Sequence, residues 1–156
     1  MKIDPKYFLY SKQYILQSIY AALAIFFLTL FLNENPVLIA SIGGTAFIVF
    51  AMPKSITAQP IRIVGGHMVG FIVGSCFYVF PFMDILIFTA LWHALSVGIT
   101  LFIMVVFDLE HAPAAGTALG MTMVGFSNSS VLAIIISIIT LAAISYFAKD
   151  YLRDLL

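Results

Sequence analysis

In this sequence of 156 residues, chemistry is carried by three histidines and by two stretches that open with proline. An imidazole changes charge near pH 6.5, so His67, His93 and His111 are the side chains able to take up or release a proton beside a moving solute. The two stretches are "PVLIASIGGT", from Pro36, and "PAAGTALGMT", from Pro113. Proline suits a first helical turn because its missing N–H would be unpaired there anyway, and the free N–H groups around it make that end partially positive. Such an end attracts anions. Small and hydroxylated residues follow each proline: Ser41, Gly43, Gly44 and Thr45 in one stretch, Gly116, Thr117, Gly120 and Thr122 in the other. Pro36, Ser41, Gly43, Thr45, Pro113, Gly116, Thr117 and Gly120 are therefore the expected lining of an anion pathway. His67, His111 and Gln59 are expected to share its cytoplasmic layer, and His67, His93 and His111 are the candidates for coupling a proton. A metal site would need Asp108, Glu110 and His111 to join His67 as oxygen and nitrogen ligands. No His pair at helical spacing, no cysteine cluster and no Gly-x-Ser-x-Gly turn supports that or hydrolysis. No catalytic residue, metal or cofactor is expected.

The elements that must position these residues are membrane helices. Hydrophobic residues make up 63% of the chain and charged residues 9%, with a mean hydropathy of +1.13, far from the composition of soluble domains. The formal charge is zero, so nothing in the sequence forms a basic face for nucleic acid. The single cysteine, Cys76, lies in an apolar run and reads as a small packed side chain. The lysine-bearing start resembles a secretory signal only superficially, because its apolar run is long and ends in "FLNENP" instead of a small-residue cleavage site.

Apolar segments run over 14–32, 36–52, 63–80, 85–107, 112–126 and 130–148. The fifth, with 15 residues, reaches roughly 22 Å and barely crosses a hydrocarbon core about 30 Å thick, so a dipped or protein-buried course is expected for it. Six crossings with a cytoplasmic N-terminus place all 7 Lys and Arg residues on the cytoplasmic side, whereas five would export Lys149 and Arg153. The expectation is a single all-α, multi-pass domain over 1–156 in the inner membrane, in contact with lipid, with both termini cytoplasmic.

Sliding the chain by 77 positions lays Pro36 on Pro113, Ile42 on Leu119, Gly43 on Gly120 and Thr45 on Thr122. Two halves of three segments each, about 14–80 and 85–148, must enter the membrane in opposite senses, which makes a 3+3 inverted repeat. In such folds the short or Gly/Pro-interrupted segments point to the pathway. The spacing Gly66, Gly70, Gly74 reads instead as a face for close helix packing.

Two stretches together resemble the HPP family of small integral membrane proteins. "SIGGTAFIVFAMPKSITAQPIRIVGGHMVGFIVG" is similar to that family's Pro-Ser-Pro-x-Ala-Gln-Pro loop and Gly-Gly-His helix start, and "HAPAAGTALG" to its His-Pro-Pro motif. Ala112 stands where the first proline of the triplet is expected, and Ile56 replaces the proline after the loop serine. The resemblance implies transport, nitrite being the solute associated with plastid and cyanobacterial members. The residues agree on the type of solute: helix N-termini, hydroxyls and amides suit a small monovalent anion. Lys54 and Arg62 flank the cytoplasmic loop and would concentrate anions there or anchor orientation. A scaffold without its own solute is the other reading. Six short helices bury little surface alone, so a homo-oligomer is expected.

Overall fold

The computed structural model describes residues 3–30, 36–80 and 85–156. Among these, the chain forms six α-helices and no strand: α1 Pro5–Thr29, α2 Pro36–Ala51, α3 Pro60–Val79, α4 Leu86–Val106, α5 Pro113–Val124 and α6 Asn128–Ala148. A short 3-10 turn, Ile56–Ala58, precedes α3. Proline opens α1, α2, α3 and α5, where its fixed φ starts a helix and costs no hydrogen bond. Asp4 caps α1 and Ser127 caps α6 through side-chain oxygens on backbone N–H groups.

Three helices, α3, α4 and α6, are long and apolar enough to cross a membrane. The other three differ from the sequence expectation in informative ways. α1 begins at Pro5, well ahead of the apolar run from Tyr14, and breaks helical geometry at Tyr10 (φ −130°, ψ 29°). α2 has 16 residues. α5 has 12, about 18 Å against a core of about 30 Å. It is shorter than the expected 112–126 because Gly125 stops it in a left-handed conformation (φ 78°), with the Tyr78 ring packed where a Cβ would stand.

The bundle has an apolar exterior. Leu86, Phe102 and Phe147 are exposed, while Ser41, Thr45, His67, Ser96, Thr100, His111, Thr117, Ser137 and Ser145 are buried. That distribution suits lipid, in which polar groups must find partners inside the protein. α3 packs on α5, α4 and α6; α2 packs on α1, α5 and α6; α4 packs on α5, and α1 on α6.

Close approach of α3 to α5 depends on small residues, as the Gly66, Gly70, Gly74 spacing implied. A Cβ at Gly70 would run into the carbonyl oxygen of Ala114, and one at Gly74 into that of Ala118. Ala114 and Ala118 are themselves fully buried.

α2 and α5 lie antiparallel. Gly120 is closed by Leu38, Gly116 by Ser41, and Gly44 faces Pro113, so residue numbers fall along one helix as they rise along the other. α5 thus starts level with the middle of α2.

Both ends of the described chain meet on one face of the bundle. The Gln17 amide donates to the Arg153 carbonyl (2.9 Å) and accepts from the Arg153 N–H (2.9 Å). The Tyr14 hydroxyl donates to the Leu155 carbonyl (2.7 Å), and the Leu155 N–H to Ala51 at the end of α2 (2.9 Å). The Arg153 guanidinium sits 3.5 Å above the Tyr10 ring, at the break in α1.

Gly70→Ala is expected to destabilise the detergent-solubilised protein by about 1–3 kcal/mol, the usual cost of overpacking. Gly98→Ala, where a Cβ meets nothing within 4 Å, should stay within about 0.5 kcal/mol of wild type, the usual range for substitutions away from packed features. Thermal melts of the two variants check this; equal melts would remove the α3–α5 contact from its structural role.

Candidate functional site

The segment between α4 and α5 builds the site. α4 ends at a left-handed residue, Asp108 (φ 56°), a conformation that Asp tolerates better than most side chains. The Leu109 N–H donates to the Met104 carbonyl (2.8 Å), and the reversed chain crosses α3 towards Pro113. Arg62 holds this crossing. Its guanidinium donates to Asp108 (2.6 Å) and to Glu110, while the Arg62 side chain itself is buried. Arg62 therefore braces the site from within and is not the free anion-collecting cation its place beside the loop implied; Lys54 is exposed. Crossing at Gly66, the chain brings His111 inward, where a Cβ on Gly66 would stand 2.8 Å from the His111 Cβ.

His111 there meets residues of α3 and α2, and through them α5. His67 (α3) and His111 stack with ring centroids 5.0 Å apart. Thr45 (α2) lies between them, its hydroxyl 2.8 Å from His67 Nε2 and 3.0 Å from His111 Nε2. Thr117 (α5) lies 2.8 Å from His67 Nδ1, and Ser41 2.8 Å from Thr117. None of these five residues is more than 4% exposed.

The donor sense of these contacts follows from one end. His111 Nδ1 is 2.9 Å from the Thr57 carbonyl, and a carbonyl only accepts, so Nδ1 carries a proton. In a neutral ring Nε2 then accepts, and its partner is the Thr45 hydroxyl. Thr45 has one proton to give; with it directed at His111, Thr45 receives from His67 Nε2–H. His67 Nδ1 accepts from Thr117, and Thr117 accepts from Ser41. The other end of the chain competes for direction: Ser41 also donates to the Pro113 carbonyl (2.6 Å), and with its single proton there Thr117 donates to Ser41 instead.

Of the residues singled out in the sequence, Ser41, Thr45, His67, His111 and Thr117 come together as one network, with Pro113 contributing a carbonyl. Gly116 and Gly120 serve the α2–α5 contact, against Ser41 and Leu38. Gly43 faces open space, with nothing within 4 Å of a Cβ. Pro36 opens α2 at an exposed position away from the network. Gln59 does not join the histidines: it is exposed and caps α3 without a side-chain bond, its carbonyl accepting from Arg62 and Ile63 and its N–H donating to Ile56. The loop contributes the Thr57 carbonyl in its place. His93 is half-buried on α4 and takes no part in the network. Asp108 and Glu110 turn to Arg62, so the carboxylates of the imagined metal set are engaged away from the histidines.

Sequence reasoning missed the Thr57 carbonyl, which carries no side-chain signal, and the Arg62 pairs, which sequence separation hides. It also missed a second buried hydroxyl pair, Ser96 with Thr122 (2.7 Å). Thr122 and Thr45 correspond under the 77-residue shift, and each also donates to or approaches the carbonyl four residues back.

The family profile described as "HPP, transmembrane region" matches residues 8–153. A transmembrane protein of Dictyostelium discoideum is 34% identical over 90 residues, a stretch that takes in 55% of this chain and 30% of that protein. No solved structure matches.

Proposed function

Because this chain belongs to the HPP transmembrane family, we propose that it moves a small monovalent anion across the membrane, along a route between α2 and α5 that passes the His67–Thr45–His111 centre. One observation carries the reading. α5 begins level with Thr45 and directly after His111, its opening residues half-buried, so the partial positive charge of its N-terminus adjoins the hydroxyls and imidazoles of the centre. Such an end carries roughly half a charge and contributes about a kcal/mol to a nearby anion. It admits an anion without trapping it, as passage requires. The acids of the preceding segment, Asp108 and Glu110, both pair with Arg62, which offsets one of their two charges. Nitrite is the first solute to test, on the family resemblance.

The reading includes a topology: six crossings, both termini cytoplasmic, and an inverted repeat that relates α1, α2 and α3 to α4, α5 and α6. Three features support it. The termini meet on one face of the bundle, as an even number of crossings requires. The helix pairings exchange among themselves when α1, α2 and α3 are swapped for α4, α5 and α6. The α2–α5 pair is antiparallel, with each helix crossing the other near its own first half. The apolar outer face of α4 is proposed to meet lipid or a second copy of the chain in the inner membrane. The protein acts here as a transporter and not as an enzyme.

Purified protein in liposomes is expected to raise nitrite uptake well above that of empty liposomes. His111→Ala should lower that uptake at least tenfold, and Asp150→Asn, at an exposed position, should leave it unchanged. Uptake at the empty-liposome level for nitrite, formate, nitrate and chloride would end the transporter reading and leave the scaffold. For topology, a reporter fused after Leu156 is expected to be active only in its cytoplasmic form; an outward-facing reporter would refute six crossings.

A further inference from the structure

The network has two hydrogen-bonding patterns that link all five residues at one set of heavy-atom positions. In the first, with both rings neutral, protons point from Ser41 to Thr117, Thr117 to His67 Nδ1, His67 Nε2 to Thr45, Thr45 to His111 Nε2, and His111 Nδ1 to the Thr57 carbonyl. The Pro113 carbonyl, 2.6 Å from Ser41, is then a spare acceptor. In the second, His111 carries protons on both nitrogens. Nε2 donates to Thr45, Thr45 to His67 Nε2, His67 Nδ1 to Thr117, Thr117 to Ser41, and Ser41 to Pro113. The two patterns differ by one proton; the second also places a hydrogen in the Ser41–Pro113 contact, which the first leaves as two oxygens facing each other. A buried chain usually has only one satisfied state, because reversing it leaves a terminal donor without an acceptor. Here the chain ends on a backbone carbonyl at each side, Thr57 and Pro113, and that removes the penalty.

We propose that Ser41, Thr117, His67, Thr45 and His111 form a proton relay beside the anion route, loading one proton onto His111 for each anion that passes. The step balances. The Ser41 oxygen takes a proton from hydronium, leaving water, and Ser41 passes its own proton to Thr117. Thr117 passes its proton to His67 Nδ1, His67 passes the Nε2 proton to Thr45, and Thr45 passes its proton to His111 Nε2. Each transfer breaks one O–H or N–H bond and forms another, with no oxidation. His67 stays neutral and changes tautomer; His111 becomes imidazolium. A monovalent anion moving with one proton carries no net charge, so the transport is electroneutral.

The charged surroundings permit this. α2 and α5 carry no titratable side chain. On α3 the neighbouring cation is Arg62, occupied by Asp108 and Glu110 from the segment that bears His111. Lys54, in the loop before the 3-10 turn, is exposed, as is Tyr146 on α6. The new charge on His111 therefore meets a network of oxygens, and the cation on the helix packed against it, Arg62, is paired.

The anion partner rests on the transport reading above, but the relay does not, and its test needs no anion. Full-length protein labelled with 15N-histidine in lipid bilayers is titrated and read by solid-state NMR. Above neutral pH the expected state is His111 with its proton on Nδ1 and His67 with its proton on Nε2. On acidification, in one transition, His111 should become doubly protonated while His67 inverts fully to the Nδ1–H form without gaining charge. In Thr45→Val, which cuts the chain between the rings, His67 should no longer follow His111. The proposal is overturned if His67 keeps Nε2–H while His111 charges, if His67 itself charges, if the starting tautomers are reversed, or if neither ring changes before the protein unfolds. Should Thr45→Val fail to fold, the wild-type titration decides alone. Relay behaviour without anion uptake would end the transport reading and leave the relay; uptake without the tautomer change would do the reverse.

Discussion

A hydroxyl with a single proton held between two imidazole rings is the arrangement on which the rest of this structure depends. Thr45 can satisfy both His67 and His111 only if one ring donates to it and the other accepts, so the position of every neighbouring hydrogen is tied to its own. In an interior shielded from water, a polar group left unmatched costs about 1–3 kcal/mol, and the network has several such groups. Meeting that requirement needs backbone contact at short range. Gly66 lets the His111 segment lie against α3, Gly70 and Gly74 let α5 lie along it, and Gly44 and Gly116 let α2 and α5 touch at Pro113 and Ser41. The glycines are therefore conditions for the polar centre, and the two cannot be altered separately.

The same geometry accounts for α5 being too short to span. A helix that must begin level with the middle of α2 has only about half the bilayer left to cross, and Gly125 ends it as Tyr78 closes over the chain. Its first turn is half-buried beside the centre, where the helix dipole acts on whatever occupies it. Arg62 makes this position tolerable. By binding Asp108 and Glu110 it turns two carboxylates towards itself and offsets one of their two charges, and it fixes the reversal that sends the chain inward.

Much of this was legible in the sequence. Apolar runs gave the helices, because burial in lipid leaves little choice of secondary structure. Pro36 and Pro113 marked two helix starts, whereas the starts of α1 at Pro5 and α3 at Pro60 lie ahead of the apolar runs. The Gly66, Gly70, Gly74 spacing marked a packing face, and Ser41, Thr45, His67, His111 and Thr117 were all singled out as polar residues at membrane depth. Their convergence on Thr45 was not legible, because it depends on the antiparallel register of two helices that are distant in sequence. Gln59 was misplaced for a related reason: its loop approaches the centre through the Thr57 carbonyl, and no side-chain pattern announces a backbone group. Arg62 looked like a loop cation because its partners lie 46 and 48 positions away.

The central claim is that solute passes the buried centre, and the most direct measurement is accessibility at Ser41, which the resting structure closes. Ser41→Cys in a chain whose Cys76 is replaced by Ser can be treated with a small thiol reagent in liposomes, with and without nitrite. The account predicts slow modification that saturating nitrite retards and that blocks uptake as it proceeds. Modification at one rate with or without nitrite, leaving uptake intact, would contradict it.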